Sequence, residues 1–233
     1  MFDTVPERPA GPAKEFADLK NAFVDSALQQ PGNAVMEVYD WAMNTHTPKL
    51  EIVEPPKDNT LGAQLGNIAG QAVNIYLLSR VFSAGTGIQS VGAAENALRF
   101  GTAGFAHGGL FQSTADQPGN FLLNRAANGL IEGATWSVIG GTASTLTHLS
   151  KPMLNNGFVA NVTAGGLGGI TNAEFDAAVN HRRLATGDEL KRGVLTYAAT
   201  GAITGGLNWR SHSAAMFKSQ ELSPHLVNRY TTH

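Results

Sequence analysis

Leu61-Gly62-Ala63-Gln64-Leu65-Gly66-Asn67-Ile68-Ala69-Gly70 is the stretch from which the fold class follows. Its glycines recur at every fourth residue, a spacing that lines them up on one face of an α-helix. Opposite them Leu61, Leu65 and Ile68, then Ile75, Leu78 and Phe82, supply bulk. A glycine inside a helix costs about 1 kcal/mol relative to alanine, so three in register require an offsetting gain. Close approach of a neighbouring backbone is such a gain, best known from the small-xxx-small contacts of membrane helices. The expectation is an all-α protein, an antiparallel bundle or meander of helices with glycine and alanine faces.

Towards the N-terminus, Thr47-Pro48 and Glu54-Pro55-Pro56 bracket a linker, because proline removes an amide donor and biases its predecessor away from helix. A short strand is expected within it, at Leu50 to Val53. Two short helices precede the linker within 14–58. The first has Phe16, Leu19, Phe23, Val24 and Leu28 at helical spacing and is expected to end at Pro31-Gly32; the second is expected to start at an Asn33 cap, with Val35, Val38, Tyr39 and Ala42 on its apolar side. The Pro-rich residues 1–13 read as a disordered or extended lead.

Towards the C-terminus, 59–220 reads as a helical bundle of about five long helices carrying a diverged internal repeat, and 221–233 as a tail. Starting from Asn96, Asn128, Asn156 and Gly193, each unit has an apolar residue two places on, Leu98, Leu130, Phe158 and Leu195. Each unit then ends in Gly-Gly: Gly108-Gly109, Gly140-Gly141, Gly168-Gly169 and Gly205-Gly206. One turn before these pairs stand Gly104, Ser137, Ala164 with Gly165, and Gly201 with Ala202, so each unit repeats a small helical face. Breakers at Asp116-Gln117-Pro118-Gly119-Asn120, Ser150-Lys151-Pro152 and Thr186-Gly187-Asp188-Glu189 separate the helices, and short turns between successive helices imply antiparallel packing.

Composition narrows the function classes. The 233-residue chain can bury a core unaided, and it has no cysteine, hence no disulfide, thiolate nucleophile or Cys-ligated metal. A net charge of −2 with interspersed signs argues against a nucleic-acid surface. Charged residues are 15% of the chain, below the roughly 25% of ordinary domains. Long charge-free windows follow from that, but they contain Gln64, Asn67, Gln71 and Asn74, or Asn155, Asn156, Asn161 and Asn172. Basic residues also divide evenly between the two ends of the repeat helices, so no positive-inside bias emerges. The expectation is a tightly packed soluble bundle in the cytoplasm. Membrane association, or export without a classical signal peptide, is the alternative.

No constellation for catalysis, cofactor binding or metal binding stands out. Ser83 to Gly92 has close glycines but neither GxGxxG spacing nor a Walker lysine, and reads as an interhelical loop. Glu174, Asp176 and His181 lack metal-ligand spacing and sit among Arg182, Arg183, Asp188 and Glu189, which reads as a solvated ion-paired turn. Glu132 is the only charge between Arg125 and Lys151; it is expected to face solvent near the start of its helix, where a carboxylate suits the dipole. His107 and His148 are expected to be hydrogen-bonded packing residues, and Trp41, Trp136 and Trp209 core or rim aromatics.

The function expected from these features is a non-enzymatic packing or interaction protein. Its glycine faces at Gly62, Gly66, Gly70, Gly104, Gly108, Gly109, Gly140, Gly141, Gly165, Gly168, Gly169, Gly201, Gly205 and Gly206 are expected to mediate self-association or binding to another protein. A protein that inserts its charge-poor helices into a membrane is one alternative, and an enzyme with a site inside the bundle at Glu132 or the Glu174 group is another.

Overall fold

A computed structural model describes residues 11–58, 60–86, 92–114, 117–149, 157–203 and 205, and the regular structure among them is entirely helical. Expectations for residues 1–10, 87–91 of the Ser83–Gly92 loop, Asp116, Lys151, Asn155, Asn156, Gly206, Trp209 and the tail at 221–233 lie outside the described residues; 83–86, expected in that loop, belong instead to a helix that runs on to Thr86.

Pro12 opens helix α1 (Pro12–Val24) in the first turn, where its missing amide is no loss, with Glu15 beside it. The chain does not stop at Pro31-Gly32, contrary to the sequence expectation. A π-helical turn (Asp25–Gln29) leads directly into α2 (Gln30–Met43). Within that wider turn the Gln30 amide bonds the Asp25 carbonyl, and the next carbonyl, Ser26, is the one that Pro31 has no N–H to reach. Asn74 reaches across to donate to it at 2.9 Å. The proline is therefore absorbed by a local widening and a side-chain donor from another helix. Asn33 lies inside α2 instead of capping it, and Asn44 in left-handed conformation (φ 53°) ends the helix.

Leu50 to Val53 forms no strand. This segment bends at Ile52 and Val53 as it returns along α1 and α2, held by side-chain amides in place of a partner strand. Asn33 both accepts from Leu50 N–H (2.6 Å) and donates to Leu50 C=O (3.0 Å). Gln29 Oε1 accepts from the amides of Ile52 and Val53, and Asn21 donates to Glu54 C=O. This strap carries the chain back to the start of α1, so α3 (Leu61–Thr86) runs parallel to it. Gly62, Gly66 and Gly70 lie against Glu15, Leu19 and Phe23 in the same chain order.

The remaining helices alternate in direction. Helix α4 (Ala93–Ala106) continues into a second π-helical turn (His107–Phe111), and α5 (Phe121–Thr147) returns along it. Gly101 faces Ser137, Gly104 faces Glu132, Gly108 faces Asn128 and Gly140 faces Asn96. At Gly104 and Gly140 an added Cβ would lie 2.6 and 2.7 Å from a backbone oxygen of the opposing helix, too close for any side chain. Helix α6 (Gly157–His181) and a last helix, α7, over 187–203, pair in the same manner, with Gly165 on Tyr197, Gly169 on Gly193 and Gly201 on Asn161. Gly168 instead packs α6 onto Ile139 of α5.

The core is correspondingly thin. Ile75, Ala103, Trp136, Ile139 and Ala164 form its buried centre, with Leu78, Phe82, Phe100, Ala143 and Tyr197 against it. No helix among the described residues is long and apolar enough to cross a membrane.

Candidate functional site

Asn120 starts α5 by accepting hydrogen bonds from the amides of Leu122 (3.0 Å) and Leu123 (3.2 Å). From there Arg125, Asn128, Glu132 and Thr135 fall on one helical face, and all four are buried because α5 is enclosed by α4, the second π turn and α6. A polar line thus runs through the centre of the bundle.

Glu132 is its acidic member, and the structure corrects the expectation that it faces solvent: only 9% of the residue is accessible. Trp136 Nε1 donates to Oε2 at 2.9 Å, while the Tyr197 hydroxyl (3.1 Å) and the Gln112 amide (3.3 Å) donate to Oε1. No cation pairs with it among the described residues. Burial pushes the carboxyl above its ordinary value of 4.5, and the three donors pull in the opposite direction. Tyr197 is raised well above 10 by burial and by the adjacent carboxylate. The three neutral donors come from the end of the second π turn, from α5 and from α7, so the cluster ties three parts of the fold together.

Arg125, one turn before Asn128, acts differently. Its guanidinium donates to the carbonyls of Ala34 (2.8 Å), Gly109 (3.0 Å) and Leu110 (3.3 Å), pairs with Glu37 at 2.9 Å and lies 4.7 Å over the Phe121 ring. Glu37 also accepts from Ser113 (2.5 Å) and from the Thr114 amide (3.2 Å). The second π turn mirrors the first: carbonyls around it take their donors from a side chain on another helix. Arg125 therefore clamps α2 and this turn onto α5. Arg125 is not among the residues expected to matter from sequence, although a signal for it is present. Arg125 and Glu132 are the only charges on α5 and stand seven residues apart, so burying one implies burying the other.

His107 opens the second π turn with its ring 6.5 Å from Phe111 and only 4% of the residue accessible. Among the described residues its Nδ1 is buried without a partner, so the expectation of a hydrogen-bonded histidine fails at this atom. Burial lowers its pKa from 6.5 to about 4. His148 does hydrogen-bond, through Nδ1 to the Ser144 carbonyl at 2.6 Å. Trp136 is core, whereas Trp41 is half exposed and stacks on Phe121 at 5.5 Å.

Glu174, Asp176 and His181 are not brought together as ligands. Glu174 accepts from the Ala185 amide (3.2 Å), Asp176 accepts from Asn180 (2.7 Å) and His181 is exposed. The following turn is built by the Arg183–Glu189 pair and by Thr186, whose amide and hydroxyl both donate to Glu189. No group of three potential metal ligands occurs among the described residues.

The glycines named from sequence lie at contacts within one chain. Gly62, Gly66 and Gly70 are covered by α1 and the first π turn; Gly104, Gly140 and Gly141 lie between α4 and α5, and Gly108 of the second π turn lies against Asn128 of α5; Gly165, Gly169 and Gly201 lie between α6 and α7, and Gly205 lies against α6 at Phe158 and Asn161. Gly109 is less crowded, with the Arg125 carbonyl 3.5 Å from where its Cβ would be. Large apolar side chains are left on the outside as well, including Leu98, Phe105, Leu130, Phe158, Phe175 and Leu195, each between 44% and 62% accessible.

Neither a protein-family model, nor a curated protein, nor a solved structure matches this chain.

Proposed function

We propose that this chain is a non-enzymatic helical packing protein whose helices associate with a second copy through their outer apolar faces, the glycines being used to build the protomer itself. One observation carries the reading. Leu98, Leu130, Phe158 and Leu195, which occupy the same position in the four repeat units, are 58%, 57%, 49% and 62% accessible. The unit geometry adds support. Unit starts Asn96 and Asn128 lie against Gly140 and Gly108, and unit start Gly193 lies against Gly169, so each of these three starts faces a glycine of its partner's pair. Two hairpins built alike would display equivalent apolar residues outward, which is how a helical repeat presents a binding face.

The proposed contact is a charge-free groove of about 390 Å³ on α4 and α5, with Phe175 of α6 at its edge, lined by Gly101 and Gly133 and by the larger Leu98, Phe105 and Leu130. Its ridges and hollow lie side by side, so the patch suits a twofold contact in which each copy's ridge enters the other's hollow. An exposed apolar surface of this kind marks an interaction site. Sedimentation equilibrium across a wide concentration range tests the proposal. A dimer or larger oligomer that Leu98→Glu with Leu130→Glu converts to folded monomer is expected. A monomer at all concentrations, or an oligomer indifferent to the double substitution, overturns it. Dye release from liposomes by the monomer would support instead the membrane-inserting alternative.

A further inference from the structure

A partly enclosed cavity of about 160 Å³ opens among α3, α4, α5 and α6, away from the proposed association groove. Ile75, Phe100, Trp136 and Ile139 make it apolar on the inside, and Arg80 and Arg99 border it. Trp136 separates it from Glu132, which is not part of the lining.

The two arginines lack what arginines beside a hydrophobic space normally have. Neither makes an ion pair among the described residues. Arg80 is held by its neighbour Tyr76, whose hydroxyl accepts from Nε (3.1 Å) and from a terminal nitrogen (2.8 Å). Arg99 lies over the Phe100 ring with its guanidinium carbon 4.7 Å from the ring centre, and its Nε is buried with no hydrogen-bond partner among the described residues. Burial and the positive charge of Arg80 both disfavour the charged form of Arg99. Glu95, one turn before Arg99, is exposed and approaches Gly92 instead. Two like charges and an unsatisfied buried donor therefore converge on an apolar space, an arrangement that an anion with an apolar body would relieve.

We propose that this cavity binds a small organic carboxylate, its anionic group on Arg80 and Arg99 and its apolar body over Trp136 and Ile139. The volume sets the size of the body: an apolar cavity of about 150 Å³ accommodates benzene, so one ring or a short alkyl chain fills the space. Aryl acids and short fatty acids share this chemistry.

Isothermal titration of the full chain at low salt with phenylacetate, hexanoate and the uncharged 2-phenylethanol tests the site, with the Trp136 indole N–H resonance as a local reporter. At least one acid is expected to bind, at least tenfold more tightly than the alcohol, and to shift that resonance; which acid binds better identifies the natural source. Arg99→Gln and the more exposed Arg80→Gln should each weaken acid binding about tenfold and leave the weak alcohol binding unchanged, with melting curves confirming that both variants fold. Failure of both acids to bind at millimolar concentration, equal affinity for acid and alcohol, or undiminished acid binding by the folded arginine variants overturns the proposal.

Discussion

Replacing Gly66 by alanine separates two explanations of the glycine-rich helices by the sign of one number. If glycine at this position reflected composition alone, alanine would stabilise α3 by about 1 kcal/mol through helix propensity. In the structure an added Cβ would sit 2.9 Å from the Ala22 Cβ and even closer to the Leu19 carbonyl oxygen. The carbonyl oxygen, the nearer of the two, sets the shift: bringing it and the methyl group to ordinary contact at about 3.2–4.0 Å makes α1 retreat by roughly 1 Å or more, along a contact that also includes Gly62 and Gly70. The obstacle is backbone and a methyl group, and neither can rotate away. Overpacking of this kind costs about 1–3 kcal/mol, and the rigid obstacle favours the upper end. Net of propensity, Gly66→Ala should destabilise by about 2 kcal/mol, lowering the melting temperature by roughly 4–8 °C in a chain of this size. Gly166→Ala is the internal control: its nearest neighbour would be Val194 at 3.8 Å, so there the propensity gain of about 1 kcal/mol should appear undiminished. Urea and thermal denaturation followed by helical circular dichroism measure both. Stabilisation by Gly66→Ala, or equal effects at the two positions, would refute the close-approach argument.

Arg125→Ala should cost about 3–5 kcal/mol in urea denaturation, because it strands the Glu37 carboxylate and three carbonyls in a region where the paired side chains are only 6% and 15% accessible. Glu37→Gln should be milder, since its single oxygen can still accept from Arg125 and the Thr114 amide while the Ser113 hydroxyl turns to accept from the new amide group; equal losses would contradict the clamp. Stability should also carry two opposite pH dependences. The raised carboxyl of Glu132 favours the folded state at low pH and loses that advantage as pH rises above 4.5, so Glu132→Gln should gain on the parent protein with increasing pH. His107 is held neutral, and the stability it protects is present above 6.5 and lost as pH falls through about 4, a change of about 3 kcal/mol that His107→Leu should abolish. A His107 proton resonance titrating near 6.5 in the folded protein would contradict its burial.

The helical class was legible in local sequence because helical periodicity, caps and breakers act over a few residues. Gly62, Gly66 and Gly70 announced a close neighbour, and Asn120 and the Thr186–Glu189 turn marked their helix ends. The Pro31-Gly32 break failed for an equally specific reason: a π turn and a donor from Asn74 resolve the proline, and Asn74 lies far along the chain. Glu132 was misplaced because burial is not a local property; its donors include Tyr197, 65 residues away. Sequence by itself therefore determined that the chain is helical and that small residues let its helices approach closely, since both follow from backbone geometry within each helix. Tertiary structure alone decided that α3 runs parallel to α1, that the glycines meet helices of the same chain, and that Arg125 and Glu132 are enclosed. Those outcomes depend on which surfaces meet, and that is set by contacts between residues tens of positions apart.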